Sequence, residues 1–99
     1  MKVTINNTEY NFVVKGTVGL IYLAERILGE AFNSEDKYHV LVLYYACLSS
    51  SNKGKDVPDM VEFISSLTSD KLDTIAQYFW GEWARLEPKA KEKTVQGEG

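Results

Sequence analysis

His39 and Cys47 are the only histidine and the only cysteine of the chain, and they are the natural starting points for nucleophilic or metal chemistry. On a single helix, at about 1.5 Å of rise per residue, they stand about 12 Å apart along the axis. A nucleophile and its base must lie within hydrogen-bond reach of each other, so this pair does not qualify. Metal binding needs three or four converging ligands, and His39 has only scattered carboxylates for company. His39 is therefore expected on a helix surface or at a cap. Cys47, alone in an apolar run, is expected as a small core residue, and it excludes an internal disulfide framework.

The carboxylate pairs have an equally plain explanation. Glu35-Asp36, Asp56 with Asp59, and Asp70 with Asp73 all fall at expected helix starts, where acids are favoured by the positive end of the helix dipole. Gly16-Thr17-Val18-Gly19 sits between a strand and a helix, but it is too short for a phosphate loop and lacks the lysine that should follow. The expectation is a chain with no catalytic residues, no cofactor site and no metal site.

The elements that must position these residues are organised around Tyr38–Leu48, YHVLVLYYACL, the longest apolar run of the chain. A buried strand and a buried helix both accommodate such a run. Ser34-Glu35-Asp36 tips the choice to a helix over 35–49, because Ser34 offers an N-cap hydroxyl and the two acids suit a first turn. Its apolar residues fall on every face, the mark of a helix surrounded by other elements.

Before it, Lys2–Asn6 and Glu9–Val14 alternate around an Asn-rich turn and predict a hairpin over 2–14. Thr17 then caps a helix over 18–31, whose inward stripe is Leu20, Leu23, Ala24, Ile27 and Ala31. After the central helix a polar loop begins at Ser49 and runs to Val57. Pro58 opens a short helix over 58–67, with Val61, Ile64 and Leu67 inward and Phe63 at the flank. Thr68 caps the last helix, 69–86, on which Leu72, Ile75, Ala76, Phe79, Trp83 and Leu86 form one stripe. Residues 88–99 are too polar to pack and read as a flexible tail. The fold class is α+β: one globular domain over 1–87, an N-terminal β-hairpin followed by a small bundle of about four α-helices.

Apolar residues make up 44% of the 99 and aromatic residues 12%, with a net charge of −3. That composition is globular and offers no basic stripe for a phosphate backbone. The first residues lack the apolar core of a signal peptide, and no run approaches the roughly 20 residues that span a bilayer. A cytoplasmic protein is expected, with no nucleic-acid or membrane partner. The unusual feature is a surplus of rings: Tyr38, Tyr44, Tyr45, Tyr78 and Trp80 lie outside the tidiest inward stripes. They are the candidate protein-binding residues, for self-association or for an apolar partner segment.

The order of elements adds a resemblance. A hairpin carrying Ile5-Asn6-Asn7-Thr8-Glu9-Tyr10-Asn11-Phe12 precedes a helix opened by Gly16-Thr17-Val18-Gly19-Leu20 and continued by Ala24-Glu25-Arg26-Ile27-Leu28. Asp56-Val57-Pro58-Asp59-Met60-Val61 and Trp80-Gly81-Glu82-Trp83 follow. Over Lys2 to Glu87 this pattern resembles the small tail assembly chaperones of long-tailed bacteriophages. The resemblance implies a non-enzymatic protein, absent from the mature virion, that keeps the helical tape measure protein soluble and helps recruit tail tube subunits. It also implies self-association and, in many members, a longer frameshifted product. The alternative is a small cytosolic regulatory or structural helical module. One form of that alternative is a helix-turn-helix-like DNA-binding protein built on 58–67 and 69–86, although Asp70, Asp73 and Glu82 outnumber Lys71 and Arg85 on its second helix.

Overall fold

The computed structural model describes residues 1–86. The expected tail over 88–99 lies outside the described residues. The α+β architecture is as expected: β1 (Lys2–Ile5) and β2 (Thr8–Asn11) form an antiparallel hairpin, followed by α1 (Thr17–Leu28), α2 (Lys37–Ser51), α3 (Met60–Ser65) and α4 (Ser69–Leu86).

The hairpin turns on Asn6 and Asn7, both at positive φ (51° and 66°). Two left-handed residues are what a two-residue loop matched to strand twist requires, and asparagine tolerates that region better than most side chains. Ile5 pairs with Thr8, Val3 with Tyr10 and Lys2 with Asn11. One step further, Phe12 N donates to Met1 O at 2.9 Å and the Met1 amino group to Phe12 O at 3.1 Å. Val3, Ile5 and Phe12 are buried and Tyr10 is half-buried, so the alternation aims its apolar face as expected.

Helix α1 departs from the expected bounds at both ends. Gly16 occupies the N-cap without a side-chain bond, and Thr17 is already helical. At the other end Gly29 adopts a left-handed φ of 76° and its N–H closes on Glu25 O, which ends the helix before Ala31. The Glu25 carboxylate then accepts from Phe32 N at 2.9 Å and folds the connection back. Leu20 and Ala24 are buried, whereas Ile27, expected inward, is exposed.

Helix α2 forms two residues later than expected and runs two further. Its cap is Asp36 rather than Ser34: Asp36 Oδ1 accepts from Tyr38 N at 2.9 Å and His39 N at 3.3 Å. A carboxylate at the N-cap combines the hydrogen bond with the dipole interaction, which a hydroxyl two residues upstream cannot match. Seven of its residues are buried: His39, Val42, Leu43, Tyr44, Ala46, Cys47 and Leu48. The all-round apolar run is thus a central helix.

Its C-terminal end is polar and buried. The Asn52 side chain accepts from Asn11 N (3.0 Å) and donates to Asn11 O (2.8 Å) and Leu48 O (2.7 Å). Ser51 Oγ accepts from Val13 N at 2.9 Å and lies within bonding distance of Val13 O and Cys47 O. Expected to lie in a loop, Ser51 and Asn52 instead take the place of a third strand against the outer edge of β2 and its continuation.

Helix α3 begins after an Asp59 cap, whose Oδ1 accepts from Glu62 N at 2.8 Å. Pro58, expected as its first residue, precedes the cap, and its carbonyl accepts from Tyr45 OH at 2.7 Å. The inward face is rotated from the expected one. Phe63 is fully buried and Val61 is 74% exposed. With one and a half turns to orient, the larger apolar surface decides the phase, and Phe63 packs against Tyr45 at 5.7 Å between ring centroids. In α4, Thr68 caps as expected by accepting from Lys71 N. Ile75 and Phe79 are buried, with Leu72, Ala76, Trp83 and Leu86 packed partly buried against the same core.

Candidate interaction groove

Helices α2 and α4 are joined by rings at one level and separated at another. Phe79 is fully buried and meets Tyr44 edge-on (5.1 Å), Trp80 edge-on (4.8 Å) and Trp83 stacked (5.3 Å). Trp80 Nε1 donates to Tyr44 OH at 2.8 Å, which satisfies the polar ends of two large side chains within an otherwise apolar junction. One turn earlier α4 carries the small side chain of Ala76, and a groove of about 420 Å³ lies there between the two helices.

The floor of this groove is Val40, Leu41 and Tyr44 from α2 with Leu72 and Ala76 from α4. Glu35, Lys37 and Asp73 border it. Its surface is therefore apolar within a charged rim, the arrangement of a site for an apolar side-chain row rather than for a charged ligand. Tyr44 cannot supply a phenolate at neutral pH, since burial raises its pKa above the ordinary tyrosine value and the Trp80 bond only partly opposes that.

Of the five candidate binding residues, the structure brings two together here, Tyr44 in the groove wall and Trp80 beside it. Tyr44 is buried and Trp80 is 36% exposed. Tyr38 projects from the first turn of α2, 54% exposed. Tyr45 belongs to the other side of α2, bonded to Pro58 and packed on Phe63. Tyr78 turns towards the hairpin, 6.0 Å from the Phe12 ring. Tyr45 and Tyr78 thus lie away from the groove and half-buried. The groove residues that sequence reasoning missed are Val40, Leu41, Leu72 and Ala76. Their helical spacing was visible, but spacing does not tell a sealed stripe from an open one. Val18 and Tyr22, one turn apart on α1, are also exposed, with the Arg26 guanidinium over the Tyr22 ring at 5.8 Å.

His39 is buried, contrary to its expected place on a helix surface or at a cap. Its Nδ1 accepts from Asn33 N at 2.9 Å, which leaves Nε2 facing Glu30 at 3.3 Å and Asp36 Oδ2 at 3.8 Å. The ring fastens the α1–α2 connection, and this bonding assigns the proton to Nε2. Cys47 is buried as expected, with Sγ 3.5 Å from Val13 O. Burial pushes its thiol up to about 12, so it is no nucleophile at neutral pH.

Among the described residues no three His, Cys, Asp or Glu side chains converge as metal ligands, and no helix is long and apolar enough to cross a membrane. Comparison with protein-family models, with curated proteins and with solved structures gives no match for this chain.

Proposed function

We propose that the protein is a non-catalytic phage or prophage tail assembly chaperone that binds the helical tape measure protein, keeps it soluble in the host cytosol and helps recruit tail tube subunits. The observation that carries this reading is the open α2–α4 groove. Val40, Leu41, Leu72 and Ala76 are packed on the core on one side and only half-buried, because their other side lines the groove. An amphipathic client helix presents apolar residues at i, i+3, i+4 and i+7, and such a row suits a groove between two helices. The resemblance in element order supplies the identity of the client.

The DNA-binding alternative has less support. The exposed acids Asp70 and Asp73 lie at the start of α4, Lys71 Nζ donates to Thr4 O at 2.8 Å, and Arg85 bonds Glu82. The cations a groove-reading helix would offer to phosphates already have partners.

Co-expression with a long, helix-rich tape measure protein tests the proposal. The soluble fraction of the client should rise with this chain present. It should fall back when Ala76→Glu places a charge in the groove, with the far-UV spectrum of the variant unchanged at the temperature of the assay. Equal precipitation of the client with and without the chain refutes the reading.

A further inference from the structure

The hairpin is a two-stranded sheet, and its two outer edges are treated differently. Ile5 and Thr8 flank a two-residue turn and so exchange both backbone hydrogen bonds, which makes Val3–Tyr10 and Met1–Phe12 the next bonded pairs. The N–H and C=O of Lys2 and Thr4 therefore point away from β2, as do those of Asn11 and Val13 on the other side. Asn52 and Ser51 occupy the Asn11 and Val13 groups. Among the described residues, Thr4 O on the β1 edge has a partner, Lys71 Nζ at 2.8 Å, and the other outward groups of Lys2 and Thr4 have none. Beside that edge lies an open channel of about 410 Å³ between β1 and the first turns of α4, bordered by Thr68, Asp70, Lys71 and Thr74.

We propose that the outer edge of β1 is a self-pairing surface, on which β1 of a second copy lies antiparallel about a two-fold axis at Val3, making a four-stranded sheet across the dimer. Self-association is also what the chaperone resemblance implies, whereas the choice of this edge and register rests on the hairpin's hydrogen bonds alone. The edge is self-complementary in that register. Lys2 faces the partner's Thr4 and Thr4 the partner's Lys2, so the outward N–H and C=O groups of both residues meet one another as bonded pairs. Val3 meets Val3 as the non-bonded pair between them.

Charge favours the same register. Lys2 and Thr4 carry their side chains on the exposed face, where Lys2 Nζ donates to Asn11 Oδ1 at 2.7 Å, and Glu9 on β2 stands opposite Thr4. In the dimer each Lys2 lies beside Thr4 of the partner with the partner's Glu9 next in line, and no two lysines are opposed. A two-fold axis at Lys2 would instead place two lysines side by side. Lys71 is the guard of this edge. Lysines that cover strand edges are a common obstacle to edge pairing, and this one caps the Thr4 carbonyl that the partner's Lys2 N–H must reach.

Two substitutions therefore act in opposite directions on sedimentation measured across a wide range of protein concentration. Lys71→Ala uncovers Thr4 O on both copies and should tighten self-association roughly 25-fold, about fivefold for each of the two competing hydrogen bonds. Thr4→Pro removes an N–H that points away from β2, so the hairpin keeps its own ladder while the dimer loses two bonds and reverts to monomer. In the wild-type chain, amide exchange at Lys2 and Thr4 should slow with rising concentration while that at Glu9 does not. Should Thr4→Pro fail to fold, this exchange pattern decides by itself. Monomers at every concentration for both wild type and Lys71→Ala, or a dimer whose Lys2 and Thr4 amides exchange at the monomer rate, overturns the proposal.

Discussion

The two ends of α2 are joined to the rest of the molecule by different chemistry. At the C-terminal end, Asn52 and Ser51 grip the backbone of Asn11 and Val13 with short polar bonds, and the junction has one admissible register. From mid-helix towards the N-terminal end, α2 meets α4 through Tyr44, Phe79 and Trp80, and beyond those rings the helices part into a groove, while His39 ties the first turn of α2 to the α1–α2 connection. Hydrogen bonds are directional and fix position, whereas ring contacts tolerate displacement and leave room beside them. The difference makes the hairpin side the fixed junction and leaves the α4 side with the open groove on which the proposed client would lie.

Removing the central ring should have the largest effect. Phe79 packs against four other rings, Phe12, Tyr44, Trp80 and Trp83, and is fully buried, so Phe79→Ala should cost about 3–5 kcal/mol. The measurement is the midpoint of urea unfolding. If α4 were held by other contacts and the ring junction were incidental, the midpoint would hardly move, and the contrast between the two ends would fail.

Asn52→Ala comes next. It leaves the half-buried Asn11 N–H and C=O and the Leu48 carbonyl without their side-chain partner, and should cost about 1–3 kcal/mol. Amide exchange at Asn11 should quicken in this variant while exchange in α4 follows only the global change in stability. An equal acceleration at both junctions would show that the clamp is not local.

Much of this fold can be read from the residues, and what cannot be read has definite causes. The hairpin is announced by period-two alternation around Asn6-Asn7, and α4 by an apolar stripe repeated over five turns. The clamp is concealed because Ser49-Ser50-Ser51-Asn52 has the composition of a loop, and only a facing strand edge converts those polar atoms into structure. The phase of α3 is equally hidden, since six residues do not establish a stripe and Phe63 displaces Val61 through a contact with distant Tyr45. For the groove, the candidate rings Tyr44 and Trp80 could be picked out as surplus. Their apolar neighbours could not, because an open stripe and a closed one have the same spacing.

The smallest effect is a pH dependence that separates the two ends by sequence of titration. Cys47, behind the clamp, has a folded pKa raised by burial to about 12 from the thiol's ordinary 9. Tyr44 and Tyr45 are raised above 10, burial being the chief cause for each, with Asp59 adding to the effect on Tyr45. A raised folded pKa means that the unfolded chain releases its proton first. The stabilisation is thus complete below the unfolded value and is lost as pH climbs towards the folded one. Stability should therefore begin to fall near pH 9 on account of Cys47, by about 1 kcal/mol over the first unit, before either tyrosine contributes. Cys47→Ala should remove this first decline and leave the later one in place, whereas Tyr44→Phe should spare the first and reduce the second. Urea midpoints from pH 8 to 11 on the order of half a unit apart resolve the two steps. A decline in Cys47→Ala that still starts at pH 9 would mean that another group governs it, and the assignment of the thiol to the sealed end of α2 would have to be given up.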